Sequence, residues 1–167
     1  MENVKVIDNF LDNYHFELLE SFLMGENIPW YYMNGLVRPG DGGYQLTHAF
    51  ITFEMSQEGS PDIHYPIVEP CVRKLGANKM HRIKANLTRK TIFPRPCEWH
   101  IDIGHPPPNL KTAIFYANTC NGYTKFRKGG KVKSVANRMV IFPGHMEHSG
   151  VSCTDKDRRL VVNFNYE

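Results

Sequence analysis

Three residues of the chain have the types and spacing of a metal site. His100 and Asp102 lie two positions apart, so on an extended strand both side chains leave the same face and reach one point. His148 lies far downstream, so the fold must bring it to that point. Two imidazoles and one carboxylate on one side of a metal, with open positions opposite, are the ligand set typical of non-haem iron(II) sites. The pattern predicts a metal centre at His100, Asp102 and His148.

A basic residue beyond this set suggests what binds beside the metal. Arg159 opens the last apolar stretch of the chain, and a planar guanidinium can hold a carboxylate through two hydrogen bonds. A dicarboxylate bound next to the metal would need such a partner. Arg158 is the alternative, and only one of the two faces the site because adjacent strand residues point in opposite directions. Arg159 is preferred because it would share the more polar face of the strand with Asn163 and Asn165.

The elements that must position these residues are mostly strands. Residues 82–89 alternate strictly between polar and apolar, as a half-buried strand does. Residues 99–103 are predicted as a strand that carries His100 and Asp102, and a Pro-Gly turn precedes His148. Further strands are predicted at residues 111–118, 123–126, 139–142 and 159–166.

The N-terminal part predicts helices. Apolar residues at helical spacing follow Asp8 or Asp12, either of which can cap a helix that runs to Gly25. A second helix is predicted over residues 66–75, whereas residues 56–62 are polar and predict a loop. Two helices before many short strands favour a mainly β protein with flanking helices. The expected architecture is a double-stranded β-helix (a jelly roll, cupin-like), with the N-terminal helices packed on one sheet.

The bulk composition indicates one globular domain. With 167 residues, 41% hydrophobic and 22% charged, the chain has enough sequence for one core. A net charge of +3 is too small to imply nucleic acid. No apolar stretch is long enough for a membrane span, and the N-terminus lacks a signal-peptide core, so a cytoplasmic location with four free cysteines is expected. We expect a single domain over 1–167, with support and a substrate lid in 1–80 and the catalytic core in 81–167.

The substrate side of the site is less defined. Residues 30–50 and 104–109 are candidates to cover the metal, and Tyr44, Gln45 and His48 could line the mouth. Cys97 lies close enough in sequence to His100 to approach the metal, although a small buried filler is the commoner role of an intracellular cysteine. A basic cluster is either a solvated hairpin face or an attractor of acidic or nucleic-acid substrates. It comprises Lys125, Arg127, Lys128, Lys131 and Lys133.

Several segments of the C-terminal half follow one another in the order seen in a known family. Each is weak evidence alone, and their order is the specific signal. They are residues 82–87, 100–102, 112–118, 121–126, 137–144, 148–150 and 159–166. In these segments the chain resembles the 2-oxoglutarate- and iron(II)-dependent dioxygenases, nearest to the prolyl-hydroxylase-like branch and its small phage or marine-bacterial members. The resemblance covers residues 81–167 and leaves residues 1–80 unmatched.

The resemblance implies roles for individual residues. His100, Asp102 and His148 would bind iron(II), and the family pattern of a histidine just before Ser-Gly favours His148 over His145. Arg159, or in its place Arg158, would bind the far carboxylate of 2-oxoglutarate. Tyr116 matches a tyrosine that also contacts this carboxylate in relatives, and Asn86 lies on a strand that lines the pocket there.

The implied activity is that of a hydroxylase. Iron(II), 2-oxoglutarate and dioxygen would be consumed in oxidative decarboxylation coupled to hydroxylation of a C–H bond, with ascorbate as a reductant. A peptide side chain such as proline, or a small molecule, is favoured over nucleic acid as the substrate. Two alternatives remain at this stage. One is a zinc-dependent hydrolase, because zinc also accepts two histidines and a carboxylate. The other is a catalytically inactive binding module on the same barrel.

Overall fold

The computed structural model describes residues 3–167, and in this range the chain forms ten strands and three α-helices. The strands are Lys5–Ile7 (β1), Tyr31–Met33 (β2), Gln45–Ile51 (β3), Met80–Arg89 (β4), Lys111–Tyr116 (β5), Tyr123–Phe126 (β6), Lys131–Lys133 (β7), Arg138–Pro143 (β8), His148–Val151 (β9) and Arg158–Tyr166 (β10). The helices are Asn13–Met24 (α1), Phe53–Glu58 (α2) and Glu69–Leu75 (α3).

The strands form two antiparallel sheets. The large sheet has seven strands in the order β1-β8-β5-β10-β4-β3-β2, and the small sheet has three in the order β7-β6-β9. At the centre of the large sheet, β10 pairs along its length with β4 on one side and, from Val161 to Tyr166, with β5 on the other. Two facing sheets of this kind make the expected jelly roll, so the predicted fold class is confirmed.

The helices pack on the outer face of the large sheet. Successive residues of a strand point to opposite faces, so β4 and β10 present one apolar row each to the helices, exemplified by Ala85 and Val162. Leu19 and Leu23 of α1 and Cys71 of α3 complete this core and are fully buried. A smaller core fills the space between the two sheets. Its residues are Ile114, Tyr116, Phe126, Val132, Val140, Phe142 and Val161.

The helix boundaries follow local capping chemistry. Asp12 caps α1 by accepting a hydrogen bond from the backbone N–H of His15, which decides between the two predicted caps. The helix predicted over residues 66–75 divides into a 3-10 turn at Tyr65–Ile67 and the shorter α3. The loop predicted over residues 56–62 is wrong for residues 56–58, because they form the end of α2, which Thr52 caps. None of the helices in the described part of the chain is long and apolar enough to cross a bilayer.

The strand predicted over residues 99–103 is wrong. His100 forms an isolated bridge with His148, through reciprocal backbone hydrogen bonds of 3.1 and 3.0 Å. Beyond His100 the chain bends instead of extending. The backbone carbonyl of Asp102 there accepts a hydrogen bond from Arg82 of β4, 3.1 Å away. Tertiary contacts, not strand geometry, therefore position Asp102.

Candidate functional site

The two histidines and the aspartate predicted as metal ligands meet between the sheets. One ligand atom from each of His100, Asp102 and His148 lies within 4.8 Å of the others. The two imidazole rings are 4.6 Å apart between centroids, as expected for side chains on directly bridged backbone positions. The fold thus brings together residues that are distant in sequence.

Hydrogen bonds orient both imidazoles for metal binding. His100 Nδ1 lies 2.9 Å from the Glu98 carbonyl oxygen, and His148 Nδ1 lies 3.2 Å from that of Met146. A carbonyl oxygen only accepts, so each Nδ1 carries the proton and donates it. The lone pair of each ring is consequently on Nε2. This is the usual arrangement in histidine metal sites, where a backbone carbonyl fixes the tautomer.

The carboxylate of Asp102 is buried in a polar cage, with its side chain only 4% exposed. Arg82 Nη2 lies 3.4 Å from Oδ1, and the amide nitrogens of Asn163 and Asn165 lie 3.4 and 3.1 Å from Oδ2. Burial opposes ionisation of the carboxyl, but Arg82 and then His148 outweigh it and lower the pKa of Asp102 to about 2. The group is therefore an anion at neutral pH.

The donor set fits a divalent cation. Burial lowers the pKa of His148 despite the opposing charge of Asp102, so this imidazole is neutral. Burial acts in the same direction on His100, but hydrogen bonds to Cys97 and to the Glu98 carbonyl outweigh it and raise the pKa. Cys97 Sγ lies 3.9 Å from His100 Nδ1, so the cysteine is close to the centre but contacts the side of the ring that faces away from Nε2. One carboxylate and two Nε2 atoms remain to hold a metal.

Arg159 is buried in the same cleft, with 5% exposure. Its Nε donates to Ser134 Oγ at 2.9 Å and its Nη2 to Thr124 Oγ1 at 3.1 Å. No carboxylate within residues 3–167 pairs with this guanidinium. A buried cation without a counterion is costly, so the site is suited to an anionic ligand. Arg158 does not line the cleft.

Tyr116 lies behind Arg159. Its hydroxyl donates to Thr124 Oγ1 at 2.9 Å, and the Arg159 guanidinium lies 5.6 Å from its ring centroid. The tyrosine is fully buried and does not line the cleft, and it contacts Thr124 and Arg159; its contact with 2-oxoglutarate stays a prediction. Asn86 does line the cleft, and its amide nitrogen is 3.3 Å from the Lys84 carbonyl oxygen.

The three residues predicted at the substrate mouth have two different locations. Tyr44 and Gln45 line the cleft, and Gln45 Nε2 donates to the Leu36 carbonyl at 2.8 Å. The expectation for His48 needs correction. Thr47 pairs with Asn86 on the cleft face, so the adjacent His48 points to the helix side. There its ring lies 3.0 Å from the Pro29 carbonyl oxygen and 3.2 Å from Asp62.

The cleft has a volume of about 420 Å³ and is lined from both sheets and from the loop before β3. Asp41 stiffens this loop, because its carboxylate accepts hydrogen bonds from the backbone N–H groups of Leu36, Val37, Arg38 and Gly43. Hydrogen bonds within the loop therefore fix this part of the cleft rim. It belongs to the segment 30–50 that was expected to cover the metal.

Sequence reasoning missed the residues that support the site. Asn163 and Asn165 are polar positions in an otherwise apolar strand, and this alternation was the available signal for their role at Asp102. Thr124 and Ser134 gave no signal, because they reach Arg159 from β6 and from the residue after β7, both distant from Arg159 in sequence. Arg82 appeared only as one polar residue of an alternating strand.

Comparison with known proteins supports the fold. No family model and no curated protein matches the sequence. A prolyl-4-hydroxylase from Pseudomonas putida has a similar structure, with a TM-score of 0.64 and 11% identity over 99% of this chain and 92% of that one. A 2OG-Fe(II) oxygenase family oxidoreductase from Burkholderia pseudomallei gives 0.65 and 9% over 98% and 85%. The Trichoplax adhaerens prolyl hydroxylase, solved with a hypoxia inducible factor peptide fragment, gives 0.63 and 15% over 99% and 84%.

The chain has the fold of the 2-oxoglutarate and iron(II) oxygenases. The similarity extends over almost the whole chain, so residues 3–80, which carry no recognised motif, also belong to the shared architecture. Strands β2 and β3 from this part continue the same sheet as β4.

Proposed function

We propose that this protein is an iron(II)- and 2-oxoglutarate-dependent dioxygenase that hydroxylates its substrate. The observation that carries the proposal is the buried, unpaired guanidinium of Arg159 in the same cleft as the His100–Asp102–His148 cluster. The cluster alone is compatible with several metals and reactions. A separate cationic anchor for an organic acid distinguishes an oxygenase with a dicarboxylate cosubstrate from a zinc hydrolase, which would give Arg159 no role.

The spacing of the two parts suits 2-oxoglutarate. Arg159 and Asn163 lie on the same face of β10, and Asn163 contacts the carboxylate of Asp102. Four residues of a strand span about 13 to 14 Å. The arginine side chain and a five-carbon dicarboxylate can bridge this gap together.

Each residue has a definite task in the proposed enzyme. His100, Asp102 and His148 would hold iron(II) through two Nε2 atoms and one carboxylate, and Arg82, Asn163 and Asn165 keep that carboxylate ionised and oriented. Arg159, supported by Thr124 and Ser134, would bind the far carboxylate of 2-oxoglutarate. When bound, iron(II) and 2-oxoglutarate would supply the oxidative decarboxylation that drives hydroxylation of a C–H bond.

The N-terminal part would act as the lid of a single domain spanning 1–167. The loop held by Asp41, together with Tyr44 and Gln45, forms one wall of the cleft and would exclude water from the reaction. We place the enzyme in the cytoplasm, where reducing conditions keep the metal ferrous and the four cysteines free.

The substrate is proposed as a peptide side chain or a small molecule. The structure of the Trichoplax enzyme contains a peptide fragment, which supports a peptide as one of the two classes. The loops that cover the site decide between them, because relatives with one fold differ in the loops that select substrates.

The test is turnover of 2-oxoglutarate by the purified protein. With iron(II), ascorbate and air, we expect slow formation of succinate even without substrate. Zinc in place of iron should abolish turnover while leaving the protein folded. His100→Ala serves as the inactive control, and Lys133→Met, on the exposed edge of the small sheet, as the active one. Absence of succinate, together with no binding of 2-oxoglutarate to the anaerobic iron(II) form, would overturn the proposal.

A further inference from the structure

The cleft contains more positive charge than the proposed cosubstrate needs. Besides Arg159, its lining includes Arg82, Lys84, Arg89 and Arg95. If iron(II) and 2-oxoglutarate bind as proposed, their opposite double charges cancel, Asp102 remains the partner of Arg82, and the far carboxylate of 2-oxoglutarate pairs with Arg159. The other three cations, Lys84, Arg89 and Arg95, have no carboxylate partner among residues 3–167 and remain on the walls of the loaded cleft.

The remaining carboxylates of the cleft do not neutralise these cations. Asp41 and Glu98 are the only other acidic residues of the lining within the described chain. The Asp41 carboxylate accepts hydrogen bonds from its own loop, and Glu98 pairs with Arg38 at 2.7 Å. The loaded cleft would therefore have an excess of positive charge that faces the entering substrate.

Lys84 occupies the innermost position among the unpaired cations. It is half-buried on β4, directly opposite Asn163, whose amide contacts the carboxylate of Asp102. Its ammonium group has no ion pair or hydrogen bond with any residue from 3 to 167. Burial and the neighbouring Arg82 lower the pKa of Lys84 to about 8, against the attraction of Asp102. An anion bound here would relieve that penalty.

Two arginines extend the positive surface to the mouth. Arg89 ends β4 and lies over the ring of Tyr44, 5.2 Å from its centroid, which fixes the direction of its side chain. The backbone of Arg95 is held to Ser152 by hydrogen bonds in both directions, 2.9 and 3.0 Å long. Both arginines therefore lie at the entrance of the cleft, Arg89 held by its contact with the Tyr44 ring and Arg95 by its backbone hydrogen bonds.

We propose that the substrate is a small organic anion whose carboxylate or phosphate group binds Lys84, with Arg89 and Arg95 guiding it in from the mouth. This inference rests on the proposed function, because it assigns Arg159 to 2-oxoglutarate. The volume of the cleft, about 420 Å³, is near the lower end of ligand pockets and must hold both reactants. That limit favours a small molecule over a bulky peptide side chain with its flanking residues.

Binding to the loaded protein tests the proposal. The protein with Mn(II) and saturating 2-oxoglutarate is titrated calorimetrically with matched pairs. The pairs are propionate and propionamide, butyrate and butyramide, and glycerol 3-phosphate and glycerol. We expect at least one anion to bind about tenfold or more tightly than its neutral partner, as is typical of a charge-assisted hydrogen bond. Preference for the phosphate pair or for a carboxylate pair identifies the anionic group.

Substitutions locate the anion. Lys84→Met should remove most of the preference for the anion, whereas Arg159→Met should instead weaken 2-oxoglutarate binding, and Lys133→Met should change neither. Equal affinities within every pair, or a preference unchanged in Lys84→Met, would overturn this inference while 2-oxoglutarate still binds. Loss of 2-oxoglutarate binding in Lys84→Met as severe as in Arg159→Met would also overturn it, by assigning Lys84 to the cosubstrate. Failure of the unsubstituted protein to bind 2-oxoglutarate would instead contradict the proposed function.

Discussion

The central strands β4 and β10 have an apolar face that packs on the helices and a more polar face that lines the cleft. On β10, Leu160, Val162 and Phe164 face the helices and are fully buried among apolar side chains. Arg159 and Asn163, on the same strand, face the cleft. The first face is stabilised by apolar burial, and the second contains buried polar groups held by a few hydrogen bonds. The strand β10 therefore contributes to the apolar core with one face and to the ligand site with the other.

Because of this division, substitutions at neighbouring residues of one strand should have different effects on stability and on ligand binding. A substitution on the helix face should lower the free energy of unfolding without changing ligand affinity. A substitution on the cleft face should lower ligand affinity without lowering the free energy of unfolding. Buried polar groups cost stability unless they are fully paired, so some changes in the cleft should even leave the protein as stable as before.

The largest effect is expected for His148→Ala. The imidazole is one of three proposed ligands, and even partners that only orient ligands change metal affinity by about 10- to 100-fold. We expect more than about a hundredfold loss of iron(II) or Mn(II) affinity, measured by equilibrium dialysis. His145→Ala, on the turn before β9, is the matched control and should bind metal normally. Equal losses in the two variants would contradict the ligand assignment.

The next effect concerns stability alone. Leu160→Ala deletes a fully buried side chain on the helix face, and such changes cost about 2–5 kcal/mol in the free energy of unfolding. We expect a lower midpoint of urea unfolding in Leu160→Ala, with metal affinity retained in the fraction that is folded. Leu160→Met should show a smaller change because it nearly conserves volume. A loss of metal affinity in the folded protein would show that the two faces are not independent.

A smaller effect is expected for Gly122→Ala. A Cβ atom at this position would lie 2.7 Å from Arg159 Cδ and 2.9 Å from the Val151 carbonyl oxygen. The added methyl must displace Arg159, so we expect about a tenfold loss of 2-oxoglutarate affinity, in line with the 1–3 kcal/mol typical of overpacking. Gly104→Ala is the control, because nothing lies within 4 Å of its added Cβ. Unchanged 2-oxoglutarate affinity in Gly122→Ala would contradict the claim that binding depends on the position of the Arg159 side chain.

The elements that bury an apolar face were predicted from the sequence, and the helix that buries none was missed. Alternation in residues 82–89 predicted β4 and its apolar face, and the buried run at 139–142 predicted the centre of β8. These patterns are local and follow from burial on one face. The helix α2 was missed because its signal is a threonine cap, and it buries no residue.

The site was predictable to the extent that its residues are unusual in type. Spacing linked His100 and Asp102, although the strand assumed for them does not form, and the family pattern of a histidine before Ser-Gly added His148. Asp102 is positioned by Arg82 and Asn165, whose contacts span the fold. Such long-range hydrogen bonds leave no periodic signal, which is why the support of Arg159 by Thr124 was not foreseen.

The most direct test of the central claim is anaerobic titration of 2-oxoglutarate into the protein with and without iron(II). If the cleft face holds the metal and the dicarboxylate side by side, iron(II) should raise 2-oxoglutarate affinity by about tenfold or more. Arg159→Met should weaken binding to the iron(II) form by about 10- to 100-fold, as expected for loss of a buried charge-assisted pair. Equal affinity with and without metal, or normal affinity in Arg159→Met, would contradict the account.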